Sequence, residues 1–309
     1  MRRENSGTDY KIWKLIMYIF AVVFFIRIII LPNLYLYKYL KNENKIETLK
    51  SDEEPNAFTV MSYNIRCKTL LDIGKKSWFY RADLIMKNIE SVMPDILGFQ
   101  EVTNQQYRYL RESLVGYSGI IEYRNDVPWS EGCPIFFNKE RYELKEAETF
   151  WLSETPDRMS KGWGAANYRI CTSVLLYDKK TDTEVAVYNV HLDHKSQKAR
   201  EKGIELVYEK SVLKDNIPVI LLGDFNTEET SESYGYITEF FEDVKYKTQD
   251  REIGNTYNAW GENNDESPID YIMITPKSYE VDKYCILREE YGGVYPSDHF
   301  PIYVKLRSR

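Results

Sequence analysis

The sequence predicts one mixed α/β domain over residues 57–309, carried behind a single N-terminal helix long enough to span a membrane. Three observations predict it. Residues 12–31 are apolar apart from Lys14 and Arg27. Residues 41–56 are charged, poor in large apolar side chains and carry Pro55 near their end, which is the composition of a linker. From Ala57 onward short β-type runs alternate with amphipathic helical patterns, and no internal repeat is visible.

Composition bounds the rest. A chain of 309 residues exceeds a typical domain, but one large α/β or sandwich domain with an appendage accounts for it. Apolar residues at 43% and aromatics at 15% supply a core, which excludes a largely disordered chain. Residues 1–50 hold nine Lys/Arg and four Asp/Glu, a net of +5, so residues 51–309 carry −12. So acidic a body argues against a broad basic nucleic-acid footprint and is compatible with an enzyme that handles phosphates through a metal. Cys67, Cys133, Cys171 and Cys285 are far apart and form no C-x-x-C pair, which argues against a zinc site and leaves disulfides undecided.

In the N-terminal segment, residues 15–26 are free of charge. Extension past Pro32 to Leu36 gives about 25 residues, enough to cross a bilayer with some tilt when Arg27 snorkels. No small-residue A-x-A site follows, so an uncleaved anchor over 12–37 is expected rather than a signal peptide, with a tail over 1–11 and a linker over 38–56. Arg2, Arg3, Lys11 and Lys14 precede the anchor, and Lys38, Lys41, Lys45 and Lys50 follow it, so the flanks do not set orientation. The short tail places the N-terminus inside and the folded body on the extracytoplasmic side.

Residues 58–65 alternate well enough for a half-buried strand that delivers Asn64 near its end. Residues 80–92 are helical by spacing, with Leu84, Ile85, Ile89 and Val92 on one face, and Pro94 stops them. A second strand over 95–100 hands over to Glu101 before a helix over 104–114. Residues 133–138 and 142–151 are placed to pair as a hairpin, and the polar, glycine-bearing loop 152–168 carries Trp163 and leads to Arg169. Strands over 170–177 and 184–190 follow, the second running into His191, and residues 197–212 are helical. Pro218 returns the chain to V-I-L-L-G-D-F-N over 219–226. This apolar run ended by Gly223 reads as a buried strand, although periodicity alone does not separate it from a buried helix segment. Residues 269–274 and 300–306 are the last strands.

Six strand ends thereby present polar residues: Asn64, Glu101, His191, Asp224 with Asn226, Asp270, and Asp298 with His299. Any one alone is the ordinary solvated residue of a turn. Together, Glu101, Asp224 and Asp298 supply the oxygen donors that magnesium or manganese prefers, and His191 and His299 sit in the same kind of position. Asp224 and Asn226 stand two apart, so an extended backbone projects both to one side, where a carboxylate beside an amide orients a cation, a phosphate oxygen or a water. His194 ends no strand and is expected at the surface.

The ordered set S-Y-N-I-R, F-Q-E, N-V-H-L-D-H, L-G-D-F-N, I-D-Y-I and S-D-H-F-P resembles the endonuclease/exonuclease/phosphatase superfamily over residues 57–306. F-W-L-S-E-T-P-D, K-G-W-G-A-A and R-I-C-T resemble a mostly uncharacterised bacterial branch of it, near the deadenylase and nocturnin side. The resemblance implies a four-layer αββα sandwich of two mixed sheets flanked by helices, with the site where the loops of the two sheets meet. It also implies a Mg2+- or Mn2+-dependent phosphodiesterase or phosphatase. Carried over residue by residue, Glu101 resembles the principal metal ligand, with Asn64 and Asp298 nearby. Asp270 resembles the carboxylate that orients a catalytic His299, a pairing that suits proton work near neutral pH. Asp224 and Asn226 would position the attacking water and a phosphoryl oxygen, and His191 would donate to the phosphate or the leaving group. Val190 stands where a threonine is commoner, which puts a hydroxyl hydrogen bond behind the site in question. Arg169 reads equally as a phosphate contact and as a structural ion pair; Trp163 reads as a substrate-binding aromatic against a bland role in capping the core. The expected substrate is nucleic acid or nucleotide, with a phospholipid or inositol phosphate as the alternative. The intact catalytic positions disfavour a non-catalytic binding module. The membrane is the other expected partner, and no protein partner is legible.

Overall fold

A computed structural model describes residues 6–47, 54–212, 217–263 and 265–309. The first residues of the expected tail, with Arg2 and Arg3, and the stretch of the expected linker that holds Lys50 lie outside the described residues.

The described residues open with α1 (Ser6–Phe25), which passes through a π-helical turn at Ile26–Ile30 and continues as α2 (Leu31–Lys41). Pro32 has no N–H to return to the preceding turn, and Leu31 donates five residues back to Ile26 O, so the wide turn is the local answer to a proline inside a helix. Residues 38–41, expected in the linker, are the last turn of this helix because tertiary packing prolongs it. Tyr35 meets Tyr80 edge-on with ring centroids 4.6 Å apart, and Tyr39 stacks on Tyr109 at 4.8 Å. Asn42 ends the helix in the left-handed region, and the chain beyond it is docked: the N–H of buried Ile46 donates to Ser113 O at 2.8 Å.

The body runs β1 (Ala57–Asn64), α3 (Trp78–Val92), β2 (Ile96–Gln100), β3 (Val102–Thr103), α4 (Asn104–Ser113), β4 (Tyr117–Ile120), β5 (Glu131–Gly132), β6 (Ile135–Asn138) and β7 (Tyr142–Trp151). It continues with β8 (Ile170–Asp178), β9 (Thr183–His191), α5 (Gln197–Val212), β10 (Val219–Asp224), α6 (Glu232–Ile237), β11 (Glu242–Asp243), β12 (Asp270–Ile274), β13 (Tyr279–Ile286) and β14 (Ile302–Ser308). The first sheet has the order β13-β14-β1-β2-β6-β4 and the second β11-β12-β10-β9-β8-β7, while β3 and β5 form a small ribbon. Each sheet is built around one parallel pair, β1 with β2 and β9 with β10, flanked by antiparallel strands.

Alternation along the strands makes the layers. Val60, Ile96, Val187, Ile220 and Leu222 point between the sheets. Met61, Leu97 and Phe99 point outward under Trp78, Ile85 and Ile89 of α3 and Leu110 of α4. Val219 and Leu221 point outward under Ile204 and Val207 of α5 and Ile237 of α6. The result is the four-layer αββα sandwich, and the 219–222 run is a central strand buried on both faces, not a helix segment.

The expected hairpin of residues 133–138 with 142–151 does not form. β6 pairs with β2 and β4 in the first sheet, whereas β7 pairs with β8 in the second. The three-residue link changes sheets because Arg141 is buried at the crossing, with Nη2 2.7 Å from Asp178 Oδ2 and Nη1 donating to Ala57 O at 2.6 Å. Nearer the site the sheets approach closely. A Cβ on Gly98 would lie 2.0 Å from Leu222 Cδ1, and Gln100 Nε2 donates across the interface to Asn189 Oδ1 at 2.8 Å.

Candidate active site

Parallel pairing decides where the polar strand ends go. β1 and β2 end together at Asn64 and Gln100, and β9 and β10 end together at His191 and Asp224. The antiparallel neighbours start at the same edge: Asp270 pairs with Asp224, and Asp298 and His299 lie just ahead of β14, separated from it by Phe300 and Pro301. Leaving these ends, the chain turns through the left-handed region at three non-glycine residues, Arg66 (φ 57°), Glu101 (φ 62°) and Asn226 (φ 49°). Such backbone is uncommon and concentrates at functional sites. Gly223, at φ 147°, is needed for a different reason: a Cβ there would lie 2.0 Å from Val190 O.

The side chains converge on a cavity of about 440 Å³. Asn64 Nδ2 lies 2.9 Å from Asp224 Oδ2, 3.2 Å from Glu101 Oε1 and 3.5 Å from His299 Nε2. The other Glu101 oxygen accepts from the Cys67 N–H at 3.0 Å. His299 Nδ1 is 2.8 Å from Asp270 Oδ2, which turns Nε2 towards Asp224 Oδ2 at 3.8 Å. His191 Nε2 reaches the same oxygen at 3.5 Å. Asp224 Oδ1 accepts from the Asn226 N–H at 2.9 Å, and Asn226 Nδ2 donates to Leu192 O at 3.0 Å. Asp298 faces Arg66 Nη1 at 3.8 Å, and Arg66 also holds Asp72 at 3.2 Å.

Crowded carboxylates set the electrostatics. Burial, then the charge of Asp270, pushes the Asp224 carboxyl up to about 7 against the pull of His299, Asn64 and the Asn226 amide. Burial and Glu101 likewise raise Asp298. Glu101 goes the other way: burial raises it, but the Cys67 amide, His299, Arg66 and Asn64 outweigh burial and hold it below the ordinary carboxylate value. Burial alone would lower His299, yet the charge and hydrogen bond of Asp270, with Asp224 and Asp298, carry it up to about 10, so it is an imidazolium at neutral pH. Burial, Arg169 and Arg124 drive His191 well below its usual value, so it is neutral.

Of the three guanidiniums on the wall, Arg124 is paired with Glu131 and Arg169 with Asp193, so Glu101, Asp224, Asp270 and Asp298 face His299 and Arg66 as a surplus of hard oxygen donors, which is the donor chemistry of a divalent-cation site. Asp270 Oδ1 is buried with no hydrogen-bond partner among the described residues, a further mark of that surplus. Ligand atoms of Asp224, Asp270 and His299 lie within 4.8 Å of one another. A cation on that trio would compete with the short Asp270–His299 hydrogen bond, so Glu101, which stands outside it, is the better centre for a cation.

All eight expected catalytic and metal residues therefore lie at one place, and Arg169 joins them on the cavity wall. Of the two readings of Arg169 the ion pair is present, with Nε 3.5 Å from Asp193 Oδ2, and Nη1 is buried with no partner among the described residues. Trp163 is not brought to the cavity. Its half-buried ring packs against the helix-side core of the second sheet, because the turn at Gly162–Gly164 folds it back there. Val190 also faces that core, so a threonine hydroxyl at this position would not reach the site. His194 is exposed, as expected, but stands at the rim 3.3 Å from Arg169 Nη2. Sequence reasoning missed Arg66, Cys67, Tyr257, and the Arg124–Glu131 pair at 2.7 Å, which complete the wall. It also missed Asp193, whose carboxylate gathers the N–H groups of Ala166, Asn167, Lys195 and Ser196. The four cysteines are unpaired.

Comparison with known proteins agrees with this geometry. The mannosyl-6-phosphatase of Bacteroides thetaiotaomicron VPI-5482 has a similar structure, with a TM-score of 0.77 at 34% identity over 81% of this chain and 99% of that one. Nocturnin of Drosophila melanogaster is 23% identical over 274 residues, which is 73% of this chain and 41% of that protein. The 3'-5'-exoribonuclease subunit of the CCR4-Not complex of Schizosaccharomyces pombe is 26% identical over 326 residues, 79% of this chain and 47% of that protein. The chain spans about half the length of the curated relatives it matches. The model of the Endonuclease/Exonuclease/phosphatase family matches residues 61–299, from within β1 to the last histidine of the cavity. This chain belongs to the endonuclease/exonuclease/phosphatase family, whose members hydrolyse phosphoesters with divalent metals.

Proposed function

We propose that the protein is a divalent-metal-dependent hydrolase of compact phosphate esters, a class that includes nucleotides and sugar phosphates, held at a membrane by its N-terminal helix. The observation that carries this reading is the meeting of Glu101, Asn64, Asp224, Asp270, Asp298, His191 and His299 at one set of strand ends. Glu101, with Asn64 and Asp298, would hold Mg2+ or Mn2+. A bound cation supplies charge neutralisation to the phosphoryl oxygens and to the carboxylates around them.

The chain's own residues do the rest. Asp224, raised by its buried surroundings, accepts the proton of a water that Asn226 helps to place as the new phosphorus–oxygen bond forms. The bond from phosphorus to the leaving oxygen breaks, and that oxygen takes a proton from the His299 imidazolium, which Asp270 orients. Neutral His191 donates an N–H to the phosphate. Arg169, with a buried unpartnered Nη1, and Arg66 and Arg124 on the same wall suit a dianionic phosphate.

A second reading, cleavage of single-stranded nucleic acid, is favoured by the exoribonuclease among the relatives. One panel separates the two. The detergent-solubilised full-length protein is offered a sugar 6-phosphate, a nucleoside monophosphate and a single-stranded oligonucleotide, with Mg2+, with Mn2+ and with excess chelator. Release of phosphate from the small esters, lost in chelator and restored by either metal, is expected. Cleavage of the oligonucleotide alone would install the second reading, and full activity in excess chelator would sink both. For the anchor, one helix in the described residues, Tyr10–Lys41, is long and apolar enough to cross a bilayer. Resistance of the full chain to alkaline carbonate extraction is expected, and release by carbonate with the N-terminus intact would refute it.

A further inference from the structure

The most exposed large apolar side chains among the described residues lie not on the apolar helix but on the loop between β1 and α3: Leu70 at 93%, Leu71 at 86% and Ile73 at 79%. Three exposed apolar residues within four positions, flanked by Lys68, Lys75 and Lys76, are costly in water and match an interface that is apolar beneath and anionic at its surface. The loop is fastened to the cavity wall. Asp72 accepts from Arg66 Nε at 3.2 Å, and Arg66 Nη1 faces Asp298. Lys68 Nζ donates to Gln105 Oε1 at 2.6 Å and lies 5.2 Å from the centre of the Phe79 ring.

The packing of α2 shows which way the apolar helix leaves the body. α4 starts at the cavity end, three residues after Glu101, and runs away from it to Ser113. Tyr39 OH reaches Gln105 O at the start of α4, while Asn42 and Ile46 are bonded to Ser113 at its end. Tyr35, one turn before Tyr39, meets Tyr80 in the first turn of α3, also at the cavity end. α2 therefore runs parallel to α4, both leading away from the cavity, and the chain N-terminal to Tyr35 projects past the cavity end. From Tyr35 to Ile30, where the apolar run ends, is about 7.5 Å of helix. The exposed loop projects from that same end.

We infer that the 69–73 loop is a second membrane contact, inserting Leu70, Leu71 and Ile73 into the bilayer that the N-terminal helix spans, so that the cavity mouth faces the lipid head groups. This rests on the anchoring reading. Two attachments, one spanning and one interfacial, fix the orientation of a body that a single helix would leave free to swivel. The geometry favours phosphate esters at or near the bilayer surface over those in bulk solution.

The test uses the full-length chain with Cys67→Ser, to remove the one cysteine that is not buried, and an environment-sensitive fluorophore on Leu71→Cys. A second chain carries the label on Lys180→Cys, in the β8–β9 turn at the opposite end. Both are reconstituted into vesicles of phosphatidylcholine and phosphatidylglycerol. The expected result is a blue-shifted emission at position 71, protected from dithionite, with position 180 fully quenched. If carbonate strips the chain from the vesicles, anchoring and loop contact fall together. If the chain stays and position 71 is as accessible as position 180, the loop contact alone falls. A blue shift that grows with protein density at fixed lipid would give the patch to a second copy and overturn the proposal. A Leu70→Ser, Leu71→Ser, Ile73→Ser variant with Cys67 intact should keep wild-type turnover on a soluble ester, which shows that it folds, and the same variant with Cys67→Ser added should lose protection of a label placed at Thr69→Cys. Retained protection there would count against insertion.

Discussion

Asp193→Asn perturbs the joint that holds the 152–169 loop, and with it Arg169, against the start of α5. The carboxylate is fully buried. Oδ2 accepts from the Ala166 and Asn167 N–H groups at 3.1 and 3.3 Å and faces Arg169 Nε, while Oδ1 accepts from Lys195 and Ser196 at 3.1 and 2.9 Å. Asparagine keeps an oxygen for one pair of donors and turns an NH2 against the other pair. Two charge-assisted bonds are lost and a buried guanidinium loses its counter-charge, for roughly 3–4 kcal/mol of stability. The measurement is the urea midpoint of the full chain in detergent, read at constant m.

The same carboxylate gives a pH signature. Burial alone would raise it, but the four N–H groups hold it at about 2. A folded-state pKa depressed below the ordinary value contributes stability that is present above the unfolded pKa and is lost as pH falls through the folded one. The gap between wild type and variant should therefore be constant above about pH 5 and narrow by roughly 2 kcal/mol between about pH 4 and pH 2. A loss below about 0.5 kcal/mol, or a gap indifferent to acid, would refute the account of Asp193 as a charged hub.

Gly223→Ala should cost about 2–3 kcal/mol or more, read as a lowered midpoint by circular dichroism, since both its φ and the 2.0 Å approach of Val190 O exclude a Cβ. Asp270→Asn should lower kcat by roughly two orders of magnitude and move the basic limb of the pH–rate profile to lower pH, because His299 owes its raised pKa first to Asp270 among its neighbours; an unmoved limb would clear Asp270 of that role. Glu101→Ala should lower turnover by about two to four orders with an unchanged circular dichroism spectrum. Trp163→Ala should leave KM within about twofold and cost about 1–2 kcal/mol of stability, as its ring packs on the core; a large rise in KM would return it to the substrate site.

The expectations that held and those that failed divide on range. Asn64, Glu101, His191, Asp224, Asp270 and His299 were legible because each borders a short apolar run, the first four at its end and the last two at its start, and a polar residue at a strand end has its position set by local pairing. The hairpin of residues 133–138 with 142–151 failed because nothing local distinguishes a turn within one sheet from a crossing between two; Arg141 decides it through Asp178, 37 residues away. The same holds for Asp193, which lies inside the quoted N-V-H-L-D-H run yet acts on a loop 26–27 residues earlier. β13 escaped notice as an edge strand whose exposed face carries Glu280 and Lys283 in place of an apolar alternation.

Trp163 shows why residue type alone misleads. A tryptophan in a glycine-bearing loop near an arginine invites a substrate role, but the turn that carries it has φ 52° at Trp163 and 78° at Gly164, and the indole is folded onto the core. Its contribution passes through the backbone: Trp163 O accepts from Ser196 Oγ at 2.8 Å, beside the amide that donates to Asp193. The loop is thus held to the start of α5 at two neighbouring points, and the residue it delivers to the cavity is Arg169. A loop read for its aromatic therefore supplies the site with a cation, and its chemistry lies with the residue that follows it into β8.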